Sequence, residues 1–170
     1  MKKLKVAVLF GGASSEHEVS RMSATSVLNN LDTEKYDVLP VGITKDGRWY
    51  LYSGPVEDLC SGAWERHSGN VPAAICPGSG LAGLVAFETG VCRSLPVDVV
   101  FPVLHGKNGE DGTIQGLLEL AGLPYVGCGV LGSAVCMDKI IANRVMDATG
   151  IPRCEWDCME RWQRPELAAI

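Results

Sequence analysis

Twice in this chain an apolar run ends abruptly in a polar, glycine-rich loop that opens into a helical pattern. The first instance is LKVAVLF at 4–10, followed by Gly11-Gly12-Ala13-Ser14-Ser15-Glu16-His17-Glu18. The second is VDVVFPVL at 97–104, followed by HGKNGEDG at 105–112. Near-continuous Val- and Leu-rich runs of this length read as strands buried on both faces of a parallel sheet. Strand, loop and helix in that order, repeated, predict an α/β fold: an open, mainly parallel sheet with flanking helices. In such sheets ligands bind in the crevice outside the carboxyl ends of the strands. Both loops stand at that position.

The remaining periodicities fill in the frame. Val19, Met22, Ala24, Val27, Leu28 and Leu31 recur at helical spacing, so a helix runs from about Glu18 to about residue 30. Residues 36–43 form a further strand, and Asp46-Gly47 a turn between short extended pieces. Residues 53–95 read as a peripheral excursion, with short strands at 71–76 and 81–87 and a turn at 88–90. Ile114, Leu117, Leu118, Leu120 and Ala121 mark a helix that Gly122 stops. Residues 124–127 are briefly extended. One further helix is expected from Ser133 to Ala148, closed by Gly150-Ile151-Pro152.

Composition narrows the function. The chain has 15 basic and 20 acidic residues in 170, a net charge of -5, which argues against a nucleic-acid surface. No apolar run approaches the roughly 18 residues of a membrane helix. Met1-Lys2-Lys3 and the apolar residues after it read as a first strand rather than a signal peptide. The seven cysteines are odd in number and include no CxxC pair, so free thiols of a cytosolic protein are the expectation, with no metal site. Glycine is abundant, 20 of 170 residues, and five of them lie in the two loops, where glycine permits close backbone approach to a ligand.

Each candidate residue has two readings at this point. Glu16 and Glu18 either meet a ligand ammonium or charge-match the start of a helix. His17 is a cap or a surface residue. His105 can donate, accept or carry charge. Glu110 and Asp111 are loop caps, or they hold His105 in one tautomer. Lys139 is a phosphate-binding candidate or a solvent-facing helical lysine. The chain has no GxGxxG fingerprint, Walker loop, serine-hydrolase elbow or HExxH.

Taken together, three stretches resemble the D-alanine–D-alanine ligase family and its D-lactate- and D-serine-using relatives. They are VAVLFGGASSEHEVS at 6–20, GITKDGRWY at 42–50, and FPVLHGKNGEDGTIQGLLELAGLPYVGCGVLGSAVCMDK at 101–139. The resemblance runs from about residue 4 to 153; CEWDCMERWQRPELAAI at 154–170 follows the family pattern poorly. It implies an ATP-grasp ligase. Residues 1–130 would be its N-terminal substrate-binding domain, and 131–170 the start of the central domain. ATP would phosphorylate the carboxylate of a first D-alanine, and the amine of a second would attack the acylphosphate. Mg2+ would offset the charge. The dipeptide would enter peptidoglycan.

By position, Glu16 resembles the family's glutamate for the first ammonium, and His105 the histidine beside that substrate. Glu110 resembles their acidic support, and Lys139 a lysine on ATP phosphate. Gly11 and Gly12 would approach the substrate through their backbone. The Mg2+ ligands and the second ATP lysine are expected beyond residue 170, so the 170-residue chain alone is expected to lack ligase activity. The resemblance also implies a cytoplasmic homodimer joined through this domain. Two other readings are a folded but inactive fragment and a regulatory or sugar-binding α/β module.

Overall fold

A computed structural model describes residues 2–78, 83–159 and 162–163. The chain begins with strand β1 (Leu4–Gly11), helix α1 (His17–Asn30), strand β2 (Tyr36–Ile43) and strand β3 (Trp49–Leu51). Helix α2 (Glu57–Ser61) and a 3-10 turn (Ala63–Arg66) precede β4 (Val71–Ile75), β5 (Gly83–Glu88), β6 (Val91–Pro96) and β7 (Val99–Pro102). Helices α3 (Thr113–Leu120), α4 (Val130–Met137) and α5 (Lys139–Thr149) follow. The strands form one seven-stranded sheet in the order β6-β5-β4-β3-β2-β1-β7.

The α/β class with flanking helices is as expected, but the sheet is mixed rather than mainly parallel. Only β2-β1 and β1-β7 run parallel; β2-β3, β3-β4, β4-β5 and β5-β6 are antiparallel. For β2-β3 and β5-β6 connection length is the reason. Residues 44–48 join β2 to β3 and Thr89-Gly90 join β5 to β6, and links so short can only reverse the chain. The stretch 53–95 is therefore no peripheral excursion, since it supplies three strands. The expected strand at 81–87 is β5 from Gly83 onward; residues 81 and 82 lie outside the described residues. The expected extension at 124–127 survives as a parallel bridge between Tyr125 and Val100.

β1 lies between β2 and β7, and its alternating side chains feed two cores. Ala7 and Leu9 join Val41, Val100, Ile114 and Leu118 under α3. Val6, Val8 and Phe10 join Ala24, Leu59 and Trp64 under α1 and α2. Trp64 is fully buried, packed edge-to-face on Phe10 with ring centroids 4.8 Å apart. Its ring lies against Gly42, where a Cβ would stand 2.2 Å from Cζ3. Burial on both faces is what the apolar run of β1 requires. Helices α1 and α3 thus leave neighbouring strands toward opposite faces, which opens a crevice at the strand ends.

Two helix expectations need correction. Val19 and Met22 belong to no core stripe: they are 49% and 62% exposed. The inward face of the first half of α1 is His17, Ser20 and Ala24, so it is partly polar. The helix expected at 133–148 is two, because Asp138 leaves helical geometry (φ -85°, ψ 106°). Its Oδ1 accepts hydrogen bonds from the N–H groups of Ile140 and Ile141, both at 3.0 Å, and so caps α5. Asp138→Ala is expected to destabilise α5 by about 1 kcal/mol, read as faster amide exchange at Ile140 and Ile141. Among the described residues no helix is long and apolar enough to cross a membrane. All seven cysteines are free thiols, and six are exposed.

Candidate active site

The loop after β1 is held by buried polar bonds. Gly11 has φ +86°, and its N–H donates to Ser20 Oγ at 2.8 Å. The Ser20 hydroxyl in turn donates to the carbonyl of Val103, just beyond β7. The Gly12 N–H donates to the carbonyl of Ile43 at 2.8 Å. His17, open to two readings in the sequence, is neither a surface residue nor a side-chain cap. It is 1% exposed, and its Nδ1–H donates to the Gly12 carbonyl at 2.9 Å. Its Nε2 faces Glu65 Oε1 at 3.5 Å. Glu18 turns away to Lys45 Nζ at 2.5 Å, and that hydrogen bond holds its carboxyl below the ordinary range. Glu16 is left exposed at the crevice.

The loop after β7 meets it. His105 Nε2 lies 3.0 Å from Ser23 Oγ on α1, and Nδ1 lies 3.7 Å from Glu110 Oε1. Glu110 Oε2 accepts the Gly106 N–H at 2.7 Å, which ties the carboxylate to the loop. Asn108 has φ +66°, and its Nδ2 reaches the Ala13 carbonyl at 3.5 Å, across the two loops. Gly106 also lies close against the first loop: a Cβ there would lie 2.9 Å from Ser14 Oγ and 3.1 Å from Glu16 Oε1. Glu16, His105 and Glu110 each offer a ligand atom, all within 4.8 Å of one another.

Asp111 shapes the same loop. Its Oδ2 accepts the Asn108 N–H at 2.9 Å and its Oδ1 the Thr113 N–H at 3.0 Å. Partial burial pushes its carboxyl up, but these hydrogen bonds outweigh burial and hold it below the ordinary 3.8. A carboxyl lowered on folding stabilises the fold above its unfolded value. That contribution fades as pH falls through the ordinary value and the folded one below it. Asp111→Ala is expected to cost about 1 kcal/mol at neutral pH. The deficit should shrink in acid, as compared by urea unfolding of both chains at pH 7 and below pH 4.

Two cavities adjoin the meeting point. One, of about 270 Å³, is lined by Gly12, Ile43, Trp49, His105, Asn108 and Ile114 among others. The other, of about 420 Å³, includes Ser23, Pro102, His105, Glu110, Gln115 and Cys136 in its wall. His105 stands on the wall of both. Two carboxylates around an imidazole favour a cation or an ammonium group.

Residues 5–128 match a model of the D-ala D-ala ligase N-terminus. The chain belongs to the D-alanine–D-alanine ligase family. Over all 170 residues it is 55% identical to a D-alanine–D-alanine ligase of Thermoanaerobacter sp. (strain X514), and it covers 47% of that protein. The VanG D-Ala:D-Ser ligase of Enterococcus faecalis aligns with 88% of the chain and 43% of its own, at 46% identity and a TM-score of 0.82. The D-alanine–D-alanine ligase of Coxiella burnetii aligns with 99% of the chain and 48% of its own, at 37% identity and a TM-score of 0.86. The chain thus spans about half the length of the relatives it matches.

The family's expected site residues are partly gathered here. Glu16, His105 and Glu110 come together, and Gly12 lines the first cavity. Gly11 does not offer its N–H to a ligand, since Ser20 takes it. Lys139 is exposed at the start of α5 and lines neither cavity. Among the described residues the three-group cluster that could hold a metal is Glu16, His105 and Glu110, and Lys139 is not part of it. Lys139 alone does not make a nucleotide site, so no step through ATP or Mg2+ is assigned to these residues. Sequence reading missed Ser20, Ser23 and Asn108. Ser20 and Ser23 sit three apart on α1, a spacing that places both on one side of a helix.

Proposed function

We propose that this chain forms the substrate-binding part of an ATP-dependent D-alanine–D-alanine ligase of peptidoglycan synthesis, working in the cytoplasm. The observation that carries the reading is the meeting of Glu16, His105 and Glu110 within 4.8 Å. Glu16 pairs with the ammonium of the first D-alanine. His105 stands beside that substrate, and Glu110 holds both the His105 side and the Gly106 backbone. Gly12 supplies part of the wall, while Gly11 shapes the loop that carries Glu16. In this reading residues 1–130 are the substrate-binding domain, and 131–170 open the ATP-grasp domain with Lys139 toward ATP phosphate. Mg2+ and the remaining ATP contacts belong to other residues of the ligase. The second substrate is D-alanine, with D-serine and D-lactate as alternatives. The exposed Val19 and Met22 on α1 suit the homodimer that this reading carries.

The test is a chimera in which this chain replaces the matching 170 residues of the Thermoanaerobacter ligase. The chimera is expected to form D-alanyl-D-alanine and release phosphate from ATP. The 170-residue chain alone is expected to release none. A folded chimera without dipeptide synthesis overturns the reading.

A further inference from the structure

We propose that Ser23 is a positioning residue that, together with Glu110, holds His105 in its Nδ1–H tautomer. Ser23 comes from α1 and His105 from the loop after β7, 82 positions apart, yet Oγ and Nε2 are 3.0 Å from each other. This is a hydrogen-bond distance. The opposite ring nitrogen, Nδ1, faces the Glu110 carboxylate at 3.7 Å. That separation is too long for a hydrogen bond, so Glu110 acts there through its charge.

A neutral imidazole carries one N–H and one bare nitrogen. A bare Nδ1 would point its lone pair at the Glu110 carboxylate. An Nδ1–H instead points a positive hydrogen at it. Nε2 is then an acceptor and needs a donor. An ionised carboxylate cannot donate, but a serine hydroxyl can. Ser23 also serves the charged ring, because its oxygen can accept an N–H after the hydroxyl turns. One side chain therefore matches His105 in both protonation states, which alanine cannot do.

The neighbouring polar side chains on α1 sharpen the point. Thr25 bonds back to the carbonyl of Arg21 at 2.9 Å, and Asn30 to that of Ser26 at 2.8 Å. Such back-bonding is the usual fate of a short polar side chain within a helix. Ser23 departs from it, and the hydrogen bond of its hydroxyl goes to His105. Its position also puts it in the wall of the cavity of about 420 Å³ that His105, Glu110 and Gln115 line. The consequence for catalysis rests on the proposed place of His105 beside the first substrate; the tautomer itself does not.

The experiment uses the 170-residue chain with 15N-labelled histidine, recorded by NMR with the rings neutral and no substrate present. The chain has three histidines, and His105→Gln assigns the resonances of His105. The expected spectrum shows a protonated Nδ1 and a bare Nε2 at His105. In Ser23→Ala both nitrogens should move toward a common average as the tautomers mix, and Ser23→Thr should restore the separation. His17, fixed by its bond to Gly12, should not change and reports that the fold is intact. If Ser23→Ala disturbs His17, Ser23→Cys is read instead, because a thiol fills the same place and donates only weakly. A His105 spectrum unchanged by loss of the hydroxyl, or a wild-type ring protonated at Nε2, overturns the proposal. Adding D-alanine to the same samples tests the site reading separately. A Ser23-dependent tautomer that ignores D-alanine at saturation would count against His105's place beside the substrate and leave this proposal standing.

Discussion

Glu16→Gln in the chimeric ligase is expected to raise the KM for the first D-alanine by roughly 10- to 100-fold. A hydrogen bond to a charged group contributes about 1.5–3 kcal/mol, and about 1.4 kcal/mol is a tenfold change. Glutamine keeps the size of the side chain and one carbonyl acceptor, so the change removes charge with little change of shape. The loop should survive it. The Glu16 backbone N–H is held by Ser14 Oγ at 3.1 Å, and that bond does not involve the carboxylate. Thermal unfolding should therefore move little. Steady-state D-alanine kinetics fitted with separate KM values for the two substrate sites would isolate the effect. An unchanged KM and kcat for the first D-alanine would remove Glu16 from ammonium binding.

Gly11→Ala is expected to destabilise the chain by about 4 kcal/mol, a large share of the roughly 5–15 kcal/mol that holds a domain folded. Two penalties add. A residue with a side chain held at φ +86° costs about 1–3 kcal/mol. A Cβ at Gly11 would also stand 2.2 Å from the backbone oxygen of Ile43 and 3.0 Å from His17 Cε1. That oxygen is fixed by sheet register, since Gly11 pairs with Ile43 at the end of the parallel β1-β2 ladder. Overpacking of this kind costs about 1–3 kcal/mol. Urea unfolding of the purified variant measures the sum. A loss below about 1 kcal/mol would mean that the strand ends separate freely. A loss of activity in Gly11→Ala is expected to come from the fold and not from a substrate contact, because the Gly11 N–H belongs to Ser20.

What the sequence shows clearly follows from burial. β1 and β7 are legible because strands covered on both faces must be apolar throughout. The loops at their ends are legible because only glycine-rich polar sequence interrupts such runs. The partnership of Glu16 with His105 and Glu110 rested on the family resemblance, and the topology agrees by placing β1 beside β7. The direction of the outer strands was harder to read. Short links such as Thr89-Gly90 fix it, while strand composition does not. The inward face of α1 misled for a physical reason. His17 and Ser20 are buried because they satisfy the backbone of the Gly11-Gly12 turn and the Val103 carbonyl, and a search for apolar periodicity passes over such residues. Asp138 splits a helix that apolar spacing alone would continue, since its carboxylate offers the next N–H groups a better partner.

The strand order also separates two kinds of surface. The crevice opens where β1 adjoins β7 at one border of the sheet, whereas the β5-β6 hairpin forms the opposite border. At the tip of that hairpin a Cβ on Gly90 would meet nothing within 4 Å. An affinity peptide or a fluorescent reporter spliced between Thr89 and Gly90 would hang in solvent, with three strands between the hairpin and β1. Loop tips of this kind accept insertions readily. The hairpin is thus a handle by which the molecule can be immobilised, labelled or fused while the crevice is left undisturbed.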